Sequence, residues 1–310
     1  MSSRRTESVT VGDQEIRISN PGKILFPESG ITKRDFVEYY RRIAPYILSH
    51  IRNRPLSMQR FPDGIGGEFF FQKELPEYFP DFFERVDVKP DEDEEKLYGT
   101  VTNEASVVYL ANLVTIPHIW MSCVEHLRRP DRLVWDLDPS GLGFKEVKTA
   151  AKLLRYLLGE LGLESYPMVT GSRGIHVVVF IEPEHDVSDV FEFAKGVAQL
   201  ITRKLPQLFT VEYSKSKRGR KIYIDVHRNA YEQTAVAPYA VRAIEGAPVA
   251  LPVRWEDVED AGLEATSFTM YTAPERIESE GEPWTGDEGK QALGPAQERL
   301  AELLGAKRTA

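Results

Sequence analysis

The chain has 310 residues, 42% of them hydrophobic and 28% charged, which excludes a disordered or fibrous protein and allows one large domain or two small ones. A single cysteine, Cys123, excludes an internal disulfide and points to a reducing cytoplasm. The net charge of -9 argues against nucleic-acid binding through overall charge but not through a local groove, since acid gathers in 91–95, 256–260 and 278–288 and base in 215–221.

The first residues are polar and basic with no apolar stretch behind them, so no signal peptide is expected. Residues 9–18 alternate apolar and polar side chains and predict a strand, closed by an Asn20-Pro21-Gly22 turn. Thr32 is placed as a helix N-cap, with Asp35 in the first turn and Phe36, Tyr39, Tyr40, Ile43 and Ile47 at core spacing. Pro45 inside that pattern predicts a kink. Residues 56–61 predict a short strand that carries Arg60. Phe69, Phe70 and Phe71 cannot all enter one core from a strand. Either some of them stack on bases, or protein covers both faces. Residues 97–101 predict a strand and 106–113 a helix. The uncharged stretch 105–124 is interrupted by Asn112, Pro117 and His118, and is expected to be buried rather than membrane-spanning. His118 among apolar residues reads by itself as a core histidine.

The segment from 133 onward is the most legible. Leu133-Val134-Trp135-Asp136-Leu137-Asp138-Pro139 predicts a strand over 133–138 that ends at the proline. Asp136 and Asp138 then share one face, and two carboxylates so close call for a cation, best a divalent metal. The competing reading is a strand-end turn, since Asp before Pro bonds its own backbone. A helix is predicted over 144–161 with Gly162 after it, strands over 166–169 and 175–181, and a helix capped by Ser188 and ended by Pro206. Strands follow over 209–213 and 222–226, separated by a basic loop. The order is β-α-β-β-α-β with one extra strand, the ferredoxin-like arrangement also used by RNA-recognition modules. Its last strand ends in Asp225, which could face Asp136 and Asp138 or merely solvate a strand end. Three carboxylates at one place suit two Mg2+ or Mn2+ ions about 3.5–4 Å apart. The stretch Thr170-Gly171-Ser172-Arg173-Gly174-Ile175-His176 fits a phosphate cradle, the alternative being a Gly-rich hairpin turn.

Taken in order, these motifs resemble the archaeo-eukaryotic primase superfamily, and within it the polymerase domain of bacterial end-joining ligase D or a stand-alone prokaryotic homologue. The matching pieces are Asn20-Pro-Gly-Lys-Ile-Leu-Phe-Pro27, Arg60 with Phe69-Phe-Phe-Gln-Lys73, Trp135-Asp-Leu-Asp-Pro139, Thr170-Gly-Ser-Arg-Gly-Ile-His176, Ile224-Asp225, and Ala237-Pro-Tyr-Ala-Val-Arg242 with Arg254-Trp255. The resemblance implies an α+β primase-polymerase fold and one catalytic domain over 10–300. Within it stand an N-terminal mixed α/β lobe over 10–128, the ferredoxin-like core over 129–255 and a C-terminal extension over 256–300, with flexible tails at 1–9 and 301–310. It implies template-dependent nucleotidyl transfer to 3′-hydroxyl ends at DNA gaps and breaks, in end-joining repair.

By the same resemblance Asp136, Asp138 and Asp225 would hold two Mn2+ or Mg2+ ions. His118, Thr170, Ser172, Arg173, His176, Arg242 and Arg254 would bind the incoming nucleoside triphosphate. Asn20, Lys23 and Lys33 would grip a 5′-phosphate, Phe70 and Phe71 would stack at the template, and Arg60, Lys217 and Arg218 would make further DNA contacts. Gapped or broken DNA, nucleoside triphosphates, Ku and a separate DNA ligase are the implied partners, in the cytoplasm and without a membrane. The chain departs from the family at Ile116-Pro-His-Ile-Trp120, where Glu-Leu-His-Pro-Trp is frequent, and at Arg173, where Lys is more usual. Two rivals start from the same residues. Asp136-Leu-Asp138-Pro-Ser140 resembles the nucleophile motif of haloacid-dehalogenase-type phosphatases, although Gly286-Asp287 lacks the second Asp that class needs. A non-catalytic ferredoxin-like nucleic-acid binder is the other.

Overall fold

A computed structural model describes residues 6–88, 96–284, 286 and 288–305. The acidic run 91–95 lies outside the described residues, as do 1–5, 285, 287 and 306–310.

The N-terminal part opens with a hairpin, β1 (Thr6–Val11) and β2 (Gln14–Ser19). The single strand expected over 9–18 is thus two strands, because Gly12 takes a φ of +57° and reverses the chain. Residues 6–9, expected in a tail, are held in β1 by this pairing. A second small hairpin, β3 (Ile24–Phe26) with β4 (Ile31–Thr32), leads directly into α1 (Lys33–Ile51). Thr32 and Asp35 form a full capping box at its start, and the helix runs unbroken through Pro45. Next come β5 (Leu56–Arg60), β6 (Phe70–Gln72), β7 (Glu84–Val88), β8 (Lys96–Thr100), α2 (Glu104–Asn112) and β9 (Thr115–Ile119).

The segment that follows comprises β10 (Arg132–Ser140), α3 (Phe144–Glu160), β11 (Tyr166–Val169), β12 (Ile175–Phe180), α4 (Val187–Lys204), β13 (Phe209–Thr210) and β14 (Lys221–Asp225). The chain ends with β15 (Ala235–Val236), β16 (Leu251–Pro252), α5 (Trp255–Glu259), α6 (Thr272–Glu280) and α7 (Gly294–Leu304). Residues 301–304, expected in a C-terminal tail, instead continue α7, which stops at the left-handed Gly305.

The two largest sheets both contribute residues to one cleft. The larger has the order β13-β14-β10-β12-β11-β16, and the smaller the order β15-β9-β5-β6. Within the larger, β14-β10-β12-β11 is the ferredoxin-like order, all antiparallel, with β13 added in parallel at one edge. Helices α3 and α4 cover one face of this sheet. Trp135, Leu137, Ile175, Val177, Ile222 and Ile224 are fully buried beneath them, and the Trp135 indole N–H donates to Ala194 O of α4 at 3.0 Å. Helix α4 is capped by Asp186, which accepts the Ser188 N–H, so the cap lies two residues before the serine expected to supply it.

Pro139 does not end β10. The strand pairs with β14 as far as Ser140, whereas β12 reaches only Leu137. Beyond that point the β12 side of β10 is a free edge, so a residue without an N–H is tolerated there. Among the described residues no helix is long and apolar enough to cross a membrane.

Candidate active site

Asp136 and Asp138 lie two residues apart on β10 and share the face that the helices leave open. The cross-strand partner of Asp136 on β14 is Asp225, and its partner on β12 is His176. Asp225, Asp136 and His176 therefore form one row across three strands. The His176 Nε2 lies 3.5 Å from Asp136 Oδ1. The alternation that buries Leu137 between Ile175 and Ile224 is the same alternation that turns the carboxylates outward.

Gly171 and Gly174 let the 170–174 loop close over the row. Gly171 has a φ of +62°, and a Cβ on it would meet the Val249 backbone at 2.6 Å and Arg242 Cγ at 2.8 Å. A Cβ on Gly174 would lie 2.4 Å from Leu137 O, the carbonyl between the two aspartates. The Thr170 hydroxyl is spent inside the loop, bonding both N–H and C=O of Gly174 at 3.1 Å. Gly174→Ala is accordingly expected to push β10 and β12 apart and to cost ~1–3 kcal/mol of stability, seen as a lowered Tm together with reduced activity. Gly159→Ala, in α3 with nothing near its Cβ, is the control and should hold or raise Tm.

A cleft of about 160 Å³ opens above the row, lined by His118, Asp136, Asp138, Thr170, Ser172, Arg173, His176, Arg228, Val236 and Arg242. Its charges are strongly coupled. Burial works against the Asp136 carboxylate, but His176, Arg228 and Arg242 together hold its pKa at about 2. Burial and the Asp136 charge push Asp138 up to about 6. His118 is held down at about 3 by burial and by the cations of Arg242 and Arg228, so its ring is neutral. Its Nε2 is buried and has no protein partner.

Among the described residues, no three His, Cys, Asp or Glu side chains are drawn together closely enough to hold an ion as they stand. The Arg228 guanidinium lies 3.6 Å from Asp136 Oδ2 and 3.6 Å from Asp225 Oδ2, between the two carboxylates. The donor chemistry nevertheless fits a hard divalent ion: three carboxylates on one open face, two of them already sharing a cation and the third driven toward protonation.

Arg228 and Val236 were not singled out by the sequence motifs. Arg228 follows Asp225 by three residues, on a turn that Asn229 locks to β10 by accepting the Val134 N–H at 2.8 Å and donating to Val134 O at 2.7 Å. A basic residue one turn after the third carboxylate is the signal that could have found it.

The remaining expected residues fall into three places. Phe70 and Phe71 are exposed on β6, at 46% and 53%, as is Phe69 at 54%. Phe71 sets its edge against His118, with ring centroids 5.5 Å apart, so the aromatics border the cleft. Arg60 lies over Phe70 and donates to Gln72 Oε1 at 2.7 Å. Lys23 and Lys33 are neighbours in the N-terminal part, joined by the Lys33 N–H to Lys23 O bond. The Lys33 ammonium is buried and donates to Ser19 O at 2.8 Å, and Lys23 donates to Pro62 O and Asp63 Oδ1, each at 2.6 Å. Burial, with the neighbouring Lys23 charge, lowers Lys33 to about 8. Asn20 forms the turn beneath them with a φ of +50°.

Two arginines are not where the sequence motifs put them. Arg254 does not reach the cleft: it starts α5 and donates to Glu280 O at 2.9 Å. Arg218 is turned inward, stacked 3.5 Å over the Tyr223 ring and bonded to Glu212 O and Tyr213 O at 2.9 Å. Only Lys217 of the expected pair is exposed on that loop.

The model of the LigD primase-polymerase domain family matches residues 32–284. The chain is 33% identical over 288 residues to the multifunctional non-homologous end joining protein LigD of Pseudomonas aeruginosa, covering 92% of this chain and 34% of that protein. It is 31% identical over 273 residues to the bifunctional non-homologous end joining protein LigD of Bacillus subtilis, covering 87% of this chain and 44% of that protein. The chain thus spans less than half the length of these curated relatives. Its fold matches the polymerase domain from Mycobacterium tuberculosis ligase D in complex with DNA, with a TM-score of 0.80 at 27% identity over 86% of this chain and 96% of that one. Sequence and fold agree over the stretch that carries the carboxylate row, and the chain belongs to the LigD primase-polymerase domain family, which makes it an enzyme of the nucleotidyltransferase class.

Proposed function

We propose that this chain extends 3′-hydroxyl ends at DNA gaps and breaks, template-directed, from nucleoside triphosphates, as a step of non-homologous end joining. The observation that carries this reading is the row of Asp225, Asp136 and His176 with Asp138 beside it, facing the cationic wall of Arg228, Arg173 and Arg242. Such a cleft suits a substrate that brings its own negative charge and needs divalent cations to approach carboxylates. Asp136, Asp138 and Asp225 would hold the ions, two Mn2+ or Mg2+, which when bound stabilise the attacking and leaving oxygens of an in-line displacement. Arg173, His176 and Arg242 take up triphosphate charge, and Ser172 offers a hydroxyl beside them. The neutral His118 ring, whose buried Nε2 has no protein partner, would hydrogen-bond the nucleotide sugar. Phe70 and Phe71 offer ring faces to the template. The fold match to a polymerase domain in complex with DNA supports the same substrate. An end-binding partner of the Ku kind and a DNA ligase would act before and after this step. Extension of a labelled primer on a gapped template, with Mn2+ or Mg2+ added, tests the reading; no extension with either metal and either nucleotide type would remove it.

Recognition of the break belongs to Lys23 and Lys33, with Asn20 shaping the turn. Lys33 begins α1 and feels the Lys23 charge, so a phosphate there would meet two ammonium groups, taking the place of Asp63 on Lys23. Binding is expected to be tighter to gapped DNA that carries a 5′-phosphate, with the preference shrinking as salt rises. Lys33 sets a pH dependence. Its free-state pKa is about 8 and a bound phosphate favours the charged form, so the preference should be full between the phosphate's own second pKa of about 6 and pH 8, and fade as pH rises above 8. Lys23→Ala with Lys33→Ala should erase the preference while leaving extension of concentrated primed template intact. A preference that survives the double replacement would move recognition elsewhere, first to the basic loop at 215–221.

A further inference from the structure

The stretch that carries Arg242 is tied at both ends to the elements that carry Lys23 and Lys33. On one side the tie is α1, which begins at Lys33. The Tyr39 hydroxyl donates to Tyr239 O at 2.7 Å, and the Tyr40 hydroxyl accepts the Val241 N–H at 3.2 Å. Both tyrosines are buried. On the other side the tie is the turn between β3 and β4. Glu245 accepts the N–H groups of Glu28 and Ser29, each at 3.2 Å, and the Ser29 hydroxyl at 2.6 Å. That hydroxyl accepts the Gly246 N–H at 3.1 Å. The β3–β4 hairpin thus has Glu245 clasped at its closed end. Its open end is joined by the Lys33 N–H to Lys23 O bond at 2.8 Å.

The tied stretch needs holding. Tyr239 has a φ of +64° and Ala247 a φ of +50°, left-handed backbone that residues with a side chain adopt only where their surroundings impose it. Between these two points the Arg242 N–H bonds Pro248 O at 2.7 Å and its guanidinium bonds Thr170 O at 2.7 Å, which aims the side chain into the cleft.

We propose that Tyr39, Tyr40 and Glu245 are positioning residues that couple the 5′-phosphate site to Arg242, so that a phosphate held by Lys23 and Lys33 tightens nucleotide binding. The proposal rests on the function proposed above. Its physical basis is that Lys33 sits buried beside a like charge at the start of α1. An anion there relieves the repulsion and fixes β4 and the first turn of α1. The helix and the hairpin carry that restraint to residues 239–246. Such coupling is reciprocal, so nucleotide should tighten the grip on the phosphorylated end by the same factor.

The test is the nucleotide KM in gap filling on two saturating DNAs that differ only in a downstream 5′-phosphate or 5′-hydroxyl. For the wild type the phosphate should lower KM by ~5-fold or more. Tyr40→Phe keeps the ring and the packing, and Glu245→Ala acts at the surface. Each should bring the ratio of the two KM values close to 1, with kcat at saturating nucleotide and KM on the 5′-hydroxyl DNA unchanged. A purely structural role would lower Tm and shift KM on both DNAs alike, keeping the ratio, and that outcome overturns the proposal. Equal wild-type KM values on the two DNAs, with preferential binding of the phosphorylated end intact, overturn the coupling and spare the function. Absence of nucleotide addition by the wild type overturns the function and the coupling with it.

Discussion

Replacement of Asp136 or Asp225 by alanine is expected to abolish nucleotide addition, by more than the ~10²–10³ in rate that a single lost transition-state hydrogen-bond donor costs. The two carboxylates are direct cross-strand partners, so each lies within reach of the ions that the other holds. Neither loss should unfold the protein. Each carboxylate sits on the open face, while the strand is held from the other face by Trp135, Leu137 and Ile224, all fully buried. Removing Asp136 should even relieve charge repulsion, since its carboxylate is one of the two causes that raise Asp138. Asp136→Ala is therefore expected to keep Tm within a few degrees and to retain DNA binding while extension vanishes. Asp225 carries a second bond, accepting the His227 N–H at 2.9 Å, so Asp225→Asn is the gentler variant for that position. A folded Asp225→Asn protein that extends primers at near-normal rate would take Asp225 out of the ion site and leave Asp136 and Asp138 to hold the metal alone.

The legible part of this chain was the part where local periodicity and tertiary role coincide. The run into Asp136 and Asp138, the two amphipathic helices and the Gly171 and Gly174 loop each carry their structural reason in their own few residues, and the ferredoxin-like order followed from them. Family membership also set aside the phosphatase and the non-catalytic binder, which shared those residues. What could not be read was set by distant partners. Strand β10 outlasts Pro139 because β12 ends first, a fact about another segment. The β1–β2 hairpin is the exception, since its turn is marked locally: across Gly12-Asp13 the apolar positions change phase, from Val9 and Val11 to Ile16 and Ile18. Arg218 and Lys217 are neighbours of the same charge in one loop, yet one is stacked on Tyr223 and the other is exposed; only the ring decides between them. Arg228 stands one turn after Asp225, but its meaning comes from its guanidinium lying between Asp136, a residue of another strand, and Asp225.

Loss of Arg242 is expected to raise the nucleotide KM by ~10–150-fold, the equivalent of one charge-assisted hydrogen bond to the triphosphate. Its kcat should fall as well, because charge grows on the leaving pyrophosphate as the bond breaks. Arg242→Lys should not restore function. The guanidinium bonds Thr170 O while its carbon chain fills the space beneath Gly171, and an ammonium cannot serve carbonyl and phosphate in the same fork geometry. His176→Ala should show a similar rise in KM with a further effect. His176 is the first among the groups that hold Asp136 charged, so without it the Asp136 pKa should climb and the acid limb of the pH–rate profile should move to higher pH. Arg254 supplies the control. It also follows the cleft in sequence and carries the same charge, but its guanidinium is bonded to the α6 carbonyl of Glu280 and lies beside the Glu280 carboxylate at 3.6 Å. Arg254→Ala should leave the nucleotide KM within about twofold of the wild type, the scale of a surface ion pair. If Arg254→Ala raised KM as far as Arg242→Ala does, residues 254–280 would have to close over the nucleotide, and the cleft would extend to a wall that Arg254 now faces away from.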